Sequence, residues 1–273
     1  MSDAKLNYFI YNGEIFKTSD FENLYKENSP SLYEVIRVNN SVPLFLEEHY
    51  ERLISSGEII GEKINVSFKE FKDNIEKIIK KNDVVDYNIK IVINNLNASP
   101  NIYYFFIKTS YPDASLYDTG VKTFLYNAER DNPNAKIINS SLRETINSLL
   151  KEKDCFEAIL VNNDGYITEG SRSNLFFIKG NDLYTTKGKD VLLGITRKRI
   201  IELSLKNSIN VIEKDIHVND LKDFSSLFIS GTSPKALPIN SVDNIIFSTK
   251  DPVLLKIMKI YDDEINLYIK SKK

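Results

Sequence analysis

The chain has 273 residues, 42% of them hydrophobic, which is enough for the core of one large domain or of two ordinary ones. Its 36 basic and 38 acidic side chains nearly cancel, so charge gives no reason to expect binding to nucleic acid or to an anionic membrane. A small anionic or zwitterionic substrate remains compatible with this balance.

Three features predict a cytoplasmic protein. No apolar stretch approaches the roughly 18 residues of a membrane span, and the first residues lack the basic and apolar blocks of a secretory signal. The single cysteine, Cys155, cannot form an intrachain disulfide, which fits a reducing compartment. Because it begins an apolar, strand-like run that extends to Val161, we expect a buried and inert thiol.

The first half of the chain predicts short antiparallel strands interrupted by helices. Turn residues at Asn12-Gly13 and Asn39-Asn40 end two of the strands. From Leu46 onward the apolar residues recur at helical spacing. The expected strands are Tyr8 to Tyr11, Leu32 to Val38, Val42 to Phe45, Ile89 to Ile93 and Ile102 to Ile107, with a second helix from Phe68 to Ile79.

The second half continues this alternation after a polar, proline-containing stretch at residues 110–115. Ser141 is expected to cap a helix from Leu142 to Leu150, with Glu144 completing a capping box. Further elements are strands from Val121 to Tyr126, Cys155 to Val161, Tyr166 to Thr168, Leu175 to Ile178, Val211 to Ile212 and Leu227 to Ile229, and helices from Arg197 to Leu205 and from Pro252 onward. The pattern predicts an α+β fold with two domains and largely antiparallel sheets flanked by helices. We place an N-terminal α/β domain at residues 1–111, a linker at 112–119 and a C-terminal domain at 120–273.

Three groups of residues follow one another along the second half and together suit pyridoxal phosphate. Lys136, between a Pro-Asn loop around Asp131 to Asn134 and a helix, supplies an amine. Glu169 lies in the turn Thr168 to Asn174 and supplies an acid for a pyridine nitrogen. Gly194-Ile195-Thr196 begins a helix, where free amides favour a phosphate. Each feature alone has an ordinary alternative, namely a surface lysine, a surface acid or a plain helix start.

In this order the motifs resemble the class IV aminotransferases, which are fold type IV pyridoxal phosphate enzymes. That family includes branched-chain and D-amino acid aminotransferases and 4-amino-4-deoxychorismate lyase. The resemblance begins at Tyr33 to Val38, continues through Pro43 to His49 and Arg52-Leu53, and extends to Leu237 to Ile239. Its most specific part is the Thr-Glu-Gly-Ser run with Asn174-Leu175-Phe176 and the later Gly-Ile-Thr-Arg.

The resemblance implies a role for each matching residue. Lys136 would be the catalytic residue, forming an imine with the cofactor and then moving a proton from the substrate α-carbon. Glu169 would keep the pyridine ring protonated. The implied cofactor-binding residues are Arg52, Lys136, Glu169, Ser171, Asn174, Gly194, Ile195, Thr196 and Thr232, and the implied substrate residues are Tyr33, Arg37, Ser233 and Lys235. Without the family, Arg52 would be expected to pair with Glu48 or Glu51.

Some positions depart from the family pattern. Ser141 stands where relatives carry a tyrosine that contacts the cofactor. Asn94 to Asn97 replaces the Arg and His that bind substrate carboxylate in D-amino acid aminotransferases. Pro234 lacks the N–H that receives this carboxylate in branched-chain enzymes, so Lys235 or Arg37 would have to substitute.

The leading hypothesis is an aminotransferase that moves the amine of a hydrophobic, branched-chain-like amino acid to a 2-oxo acid. The alternatives are aminodeoxychorismate lyase activity and a non-catalytic member that binds cofactor or a metabolite. The resemblance also implies a homodimer. We expect no metal, and we expect His49 to be structural and His217 to lie on the surface.

Overall fold

The structure is a computed structural model that describes residues 3–26, 30–96, 98–130 and 132–273. Asp131 of the predicted loop and Asn97 therefore lie outside the described residues, as do the first two residues of the chain. The chain folds into two compact units. The first comprises Met1–Ser110, Ala135–Ile138 and Ile265–Lys273, and the second comprises Tyr111–Asn134 and Asn139–Glu264.

An antiparallel sheet forms the centre of the first unit. Its strands are β1 (Lys5–Tyr11), β2 (Glu14–Lys17), β3 (Leu32–Asn39), β4 (Val42–Pro43), β5 (Tyr87–Asn94) and β6 (Asn101–Ile107). They are hydrogen-bonded in the order β2-β1-β6-β5-β3-β4. Asn12 and Gly13 join β1 to β2 with φ angles of 48° and 84°, the left-handed conformation that a two-residue hairpin turn requires.

The helices of the first unit are α1 (Phe21–Leu24), α2 (Leu46–Ile59) and α3 (Phe68–Lys81). Ser67 caps α3 by accepting the N–H of Glu70 at 3.1 Å. Phe71, Ile75 and Ile78 recur on one side of α3 and are buried in the sheet's main core. Alternate residues of β3 point into this core, and they include the charged Glu34 among Leu32, Ile36 and Val38.

The second unit contains a larger mixed sheet. Its strands are β7 (Val121–Asn127), β8 (Glu157–Val161), β9 (Tyr166–Gly170), β10 (Asn174–Lys179), β11 (Asp182–Thr185), β12 (Val211–Glu213), β13 (Ile216–His217), β14 (Ser226–Gly231), β15 (Lys235–Val242) and β16 (Ile245–Ile246). They are ordered β12-β11-β10-β14-β15-β7-β8-β9-β13, with β16 beside β15. The pairs of β7 with β8, β7 with β15 and β11 with β12 are parallel, and the other pairs among the described strands are antiparallel.

The remaining helices are α4 (Leu116–Thr119), α5 (Ser140–Glu152), α6 (Ile195–Lys206) and α7 (Pro252–Ser271). Ile146 and Leu150 of α5 pack against Phe124 and Leu160 on one face of the sheet. A second apolar cluster, which includes Ile159, Leu175 and Leu227, covers other strands of this unit. Within the described residues, no helix combines the length and apolar character needed to cross a membrane.

Two local expectations need correction, and one strand was not predicted. Asn139, not Ser141, caps α5, because its side-chain oxygen accepts the N–H of Leu142 at 3.1 Å. Cys155 precedes β8 and is only half-buried, so it is not a core thiol, although partial burial raises its pKa. Strand β15 was not among the predicted strands, and it contains Pro238, a residue that is rare in central strands. It pairs with β14 at Pro238 but with β7 only from Ile239.

Candidate active site

The backbone of Lys136 is fixed from two sides in the first unit. Its N–H donates to the Ser56 hydroxyl at 3.2 Å, and its carbonyl accepts the N–H of Tyr33 at 3.1 Å. Next to it, Ile137 forms an antiparallel bridge with Leu32 at the start of β3. A short segment from far along the chain therefore extends the pairing of β3 and holds Lys136 beside Tyr33.

The side chain of Lys136 is half-buried, and its Nζ atom lies 4.5 Å from the centroid of the Tyr33 ring. An ammonium at this distance from an aromatic face is attracted by the ring. Tyr33, Val35 and Arg37 are partly exposed residues of β3 and share the sheet face opposite Glu34. The first unit thus presents an amine and a mixed aromatic, aliphatic and cationic surface together.

Arg52 pairs with Glu34, a partner that the sequence did not indicate. Its Nε and Nη2 atoms each donate to one oxygen of the Glu34 carboxylate at 2.7 Å, which is the two-pronged geometry of a strong charge-assisted pair. The Nδ1 atom of His49 lies 2.7 Å from Glu34 Oε2. Glu34 is fully buried, so Arg52 of α2 makes a contact with a buried strand residue that lies 18 positions earlier in the chain.

The charges of this cluster follow from its surroundings. Burial alone would raise the pKa of Glu34, but the charge of Arg52 and hydrogen bonds from Arg52 and His49 outweigh it and hold the pKa well below its usual range. Burial lowers the pKa of His49 despite the opposing effect of Glu34, and the cations of Arg52 and Lys136 lower it further. His49 is therefore neutral at pH 7 and donates its Nδ1 proton to the Glu34 carboxylate.

Glu169 is buried in the second unit near the end of β9, and both of its carboxylate oxygens accept hydrogen bonds. Oε1 accepts a hydrogen bond from Arg130 Nη1 at 2.7 Å, and Oε2 accepts the N–H of Leu192 at 3.0 Å. The carbonyl of Leu192 in turn accepts the side-chain amide of Asn174 at 2.8 Å. The peptide groups of Leu192 thus connect Glu169 and Asn174 to the chain that enters α6.

A second buried carboxylate, Glu157, organises the turn that follows Glu169. The hydroxyls of Ser171 and Ser173 donate to its two oxygens at 2.5 and 2.9 Å. The N–H of Arg172 reaches it at 3.3 Å. Glu157 lies in a strand of otherwise apolar residues, so no local signal indicated it as a site residue. Ser171, which the family resemblance implies as a cofactor-binding residue, donates to this acid.

The start of α6 has the form of an anion site. Gly194 is its first flanking residue and offers no side-chain cap, and within the described residues no acceptor lies in hydrogen-bonding position for the N–H groups of Ile195, Thr196 and Arg197. Free N–H groups at a helix start bind anions well. A Cβ atom on Gly194 would lie only 2.2 Å from Asn174 Oδ1, so glycine is needed for this approach.

Thr196 and the hairpin loop of residues 232–234 complete the predicted set in the second unit. The Tyr261 hydroxyl donates to Thr196 Oγ1 at 3.3 Å. Thr232 and Ser233 lie in the loop between β14 and β15, where Gly231 pairs with Lys235. An amine, a buried carboxylate and a helix start with free amides match the chemical needs of pyridoxal phosphate.

The two cations suggested for substrate carboxylate binding already have acidic partners. Arg37 Nη2 lies 3.3 Å from Asp86, and Lys235 Nζ lies 2.7 Å from Asp262.

His217 is half-buried and accepts the N–H of Asn219 at 3.2 Å. In the part of the chain that the structure describes, no cluster of three or more His, Cys, Asp or Glu residues could hold a metal ion.

Comparison with known proteins gives consistent similarities. A family model described as amino-transferase class IV matches residues 31–242. A protein of Rickettsia bellii, named as a probable branched-chain-amino-acid aminotransferase, is 30% identical over 227 residues, which cover 79% of this chain and 78% of that protein. A D-alanine aminotransferase of Bacillus licheniformis is 27% identical over 250 residues, or 86% and 88% of the two chains. The structure of a branched-chain amino acid aminotransferase of Escherichia coli superposes with a TM-score of 0.85, 24% identity and coverage of 96% and 95%.

Proposed function

This chain belongs to the class IV aminotransferase family, and on that premise we propose that it transfers the amine of a hydrophobic, branched-chain amino acid to a 2-oxo acid. Family membership confirms three expectations from the sequence: the two-part α+β fold, the aminotransferase class and the use of pyridoxal phosphate. Amino acids and 2-oxo acids are the substrates that this activity requires. The support for a branched-chain donor is the similarity to proteins named as branched-chain-amino-acid aminotransferases.

The observation that carries the proposal is the chemistry of three structural features. They are the amine of Lys136, whose backbone is held by hydrogen bonds, the buried carboxylate of Glu169 and the uncapped start of α6. Bound pyridoxal phosphate supplies an aldehyde for amine exchange and a protonated ring that withdraws electrons from the substrate.

Each residue has a specific part in this proposal. Lys136 would bind the cofactor and would carry the proton removed from the substrate α-carbon. Glu169 keeps the ring nitrogen protonated. The phosphate would be held by the backbone N–H groups of Ile195 and Thr196. The guanidinium of Arg52 and the hydroxyls of Thr196 and Thr232 would donate further hydrogen bonds to it. Asn174 and Gly194 shape the entry to α6, and Ser171 contributes through the turn that Glu157 holds.

The surface beside Lys136 supports a hydrophobic donor. Tyr33 and Val35 give it an aromatic and an aliphatic component, which suits an apolar side chain. We propose that Arg37 or Lys235 receives the substrate carboxylate together with the Ser233 region. Either cation would then exchange its present partner, Asp86 or Asp262, for the substrate.

We further propose that the enzyme is a cytoplasmic homodimer. The support is the family resemblance and the single cysteine, which fits a reducing compartment. Light scattering of active protein at assay concentration tests the dimer. An active monomer contradicts it.

The decisive experiment combines a spectrum with an assay of amine transfer. Purified protein with pyridoxal phosphate is expected to show the visible absorption band of lysine-bound cofactor and to convert valine, leucine or isoleucine with 2-oxoglutarate. Lys136→Arg is expected to lose both properties. Lys69→Arg is the matched control, because the Lys69 side chain is 84% exposed and pairs with Asp73 at the surface. A Lys136→Arg protein that keeps the band refutes the assignment.

Two further incubations separate the alternatives. Formation of 4-aminobenzoate from 4-amino-4-deoxychorismate without an oxo acid would identify a lyase. Cofactor that binds but is not converted to its amine form by any of the twenty amino acids would identify a non-catalytic member. Conversion by branched-chain amino acids, with no 4-aminobenzoate, is the result expected for the proposed transferase.

A further inference from the structure

The Arg130–Glu169 ion pair bears on the protonation of the proposed cofactor, which the family assignment does not address. Arg130 follows β7, and its Nη1 atom lies 2.7 Å from Glu169 Oε1. The Glu169 side chain is 4% exposed and that of Arg130 is 22% exposed. A cation is therefore in direct contact with the carboxylate that is assigned to the pyridine nitrogen.

This contact bears on where a shared proton resides. When a carboxylate faces a ring nitrogen, one proton lies between them, on nitrogen if the carboxylate is the weaker base. Burial disfavours an ionised carboxylate, whereas an opposite charge at hydrogen-bond distance favours it. The N–H of Leu192 at 3.0 Å from Oε2 favours the ionised form as well.

We propose that Arg130 is a positioning residue that keeps Glu169 ionised, so that the proton shared with the cofactor resides on the pyridine nitrogen. The proposal rests on the proposed function, specifically on Glu169 facing that nitrogen. The proton remains bound to nitrogen as N–H⁺ and the carboxylate stays O⁻, so charge and atoms balance without another reactant. Only a protonated ring withdraws electrons strongly from the substrate α-carbon, so Arg130 acts on catalysis through Glu169.

Further hydrogen bonds hold the loop that leads to Leu192 within the second unit. Asn134, four residues after Arg130, donates its side-chain amide to the carbonyls of Gly188 and Val191 at 2.7 and 2.5 Å. The loop that contains Gly188 and Val191 continues to Leu192, whose N–H donates to the other oxygen of Glu169. Residues on both sides of the carboxylate thus belong to a connected hydrogen-bonded group.

The first test is the NMR signal of the ring nitrogen in protein loaded with ¹⁵N-labelled pyridoxal phosphate at saturating concentration. Arg130→Met, which removes the charge, is expected to move the signal from the pyridinium towards the neutral pyridine position and to lower kcat about 100-fold. KM for the amino acid should change much less. Arg130→Lys, which keeps the charge, should retain the wild-type signal. Arg143→Met is the matched control, because Arg143 is an exposed arginine of α5.

The outcomes distinguish this inference from the function on which it depends. If Glu169→Gln leaves the nitrogen signal unchanged, the assignment of Glu169 to the ring nitrogen fails. If Glu169→Gln moves the signal but Arg130→Met does not, only the role of Arg130 fails. A signal displaced equally in Arg130→Lys and Arg130→Met would overturn the charge argument.

A second measurement needs no cofactor. In the cofactor-free protein with ¹³C-labelled glutamate, the Glu169 carboxyl signal should titrate at a higher pH in Arg130→Met than in the wild type. An unchanged titration in that variant would refute the proposal even if the variant bound cofactor poorly.

Discussion

Replacing Glu34 with glutamine is expected to lower the free energy of unfolding by about 3 kcal/mol. Removing one partner of a buried ion pair generally costs roughly 3–5 kcal/mol, because the other charge remains buried without compensation. The lower end applies here, since the Arg52 side chain is 11% exposed and the glutamine carbonyl can still accept one of its N–H groups. The NH2 group of glutamine would face a donor of Arg52 or His49, and two donors cannot form a hydrogen bond with each other. Part of the stability therefore stays lost.

The measurement is urea unfolding of the cofactor-free protein, because bound ligand would add its own stabilisation. Asp86→Asn is the matched control. It removes the same charge from a partner of Arg37 on the same sheet, but the Asp86 side chain is 44% exposed and the expected loss is below about 1 kcal/mol.

A double variant tests the physical reason. Adding Arg52→Met to Glu34→Gln removes the uncompensated cation, so part of the lost stability should return. If Glu34→Gln costs no more than Asp86→Asn, or if the double variant is no more stable than Glu34→Gln alone, the reasoning about buried charge is wrong.

Two other predictions concern pH and the helix start. The pKa of His49 in the folded protein lies below its unfolded value of 6.5. The unfolded chain therefore binds more protons, and the stability should fall as the pH drops below about 6.5. The lowered pKa of Glu34 predicts a further loss of stability below about pH 4.5. Urea unfolding from pH 7.5 to 4.0 checks both losses, and His49→Gln should weaken the one that begins near pH 6.5. Gly194→Ala should weaken cofactor binding about tenfold, because the new Cβ atom displaces Asn174. Cofactor titration measures the change, and an unaltered affinity would contradict the close-approach argument.

Local chemistry allowed much of the fold to be predicted from sequence. The Asn12-Gly13 turn and the apolar stripe of α3 follow from conformational preference and periodicity over a few residues. The start of α6 at Gly194 was also visible, because a glycine before a helical pattern needs no distant partner to be recognised. Lys136 and Glu169 were found through the order of their motifs and the resemblance that it carries.

Partners far apart in the chain could not be predicted in the same way. The apolar alternation of β3 placed Glu34 on the buried face, which indicates that it needs a partner, but not that Arg52 and His49 would provide one. Nothing near Arg130 pointed to Glu169, and nothing near Pro238 pointed to a central strand. The predicted boundaries at residues 111 and 120 stay a prediction, since the packing that groups Ala135–Ile138 with the first unit is not evidence of independent folding.

The sequence by itself determined which residues can supply an amine, an acid and free amides, because these properties belong to single residues and short motifs. Only the tertiary structure decided which charges neutralise one another and which backbone groups fix the reactive side chains. Strand register and the packing of distant segments set those distances, and Coulombic and hydrogen-bond energies depend on distance and burial rather than on separation along the chain.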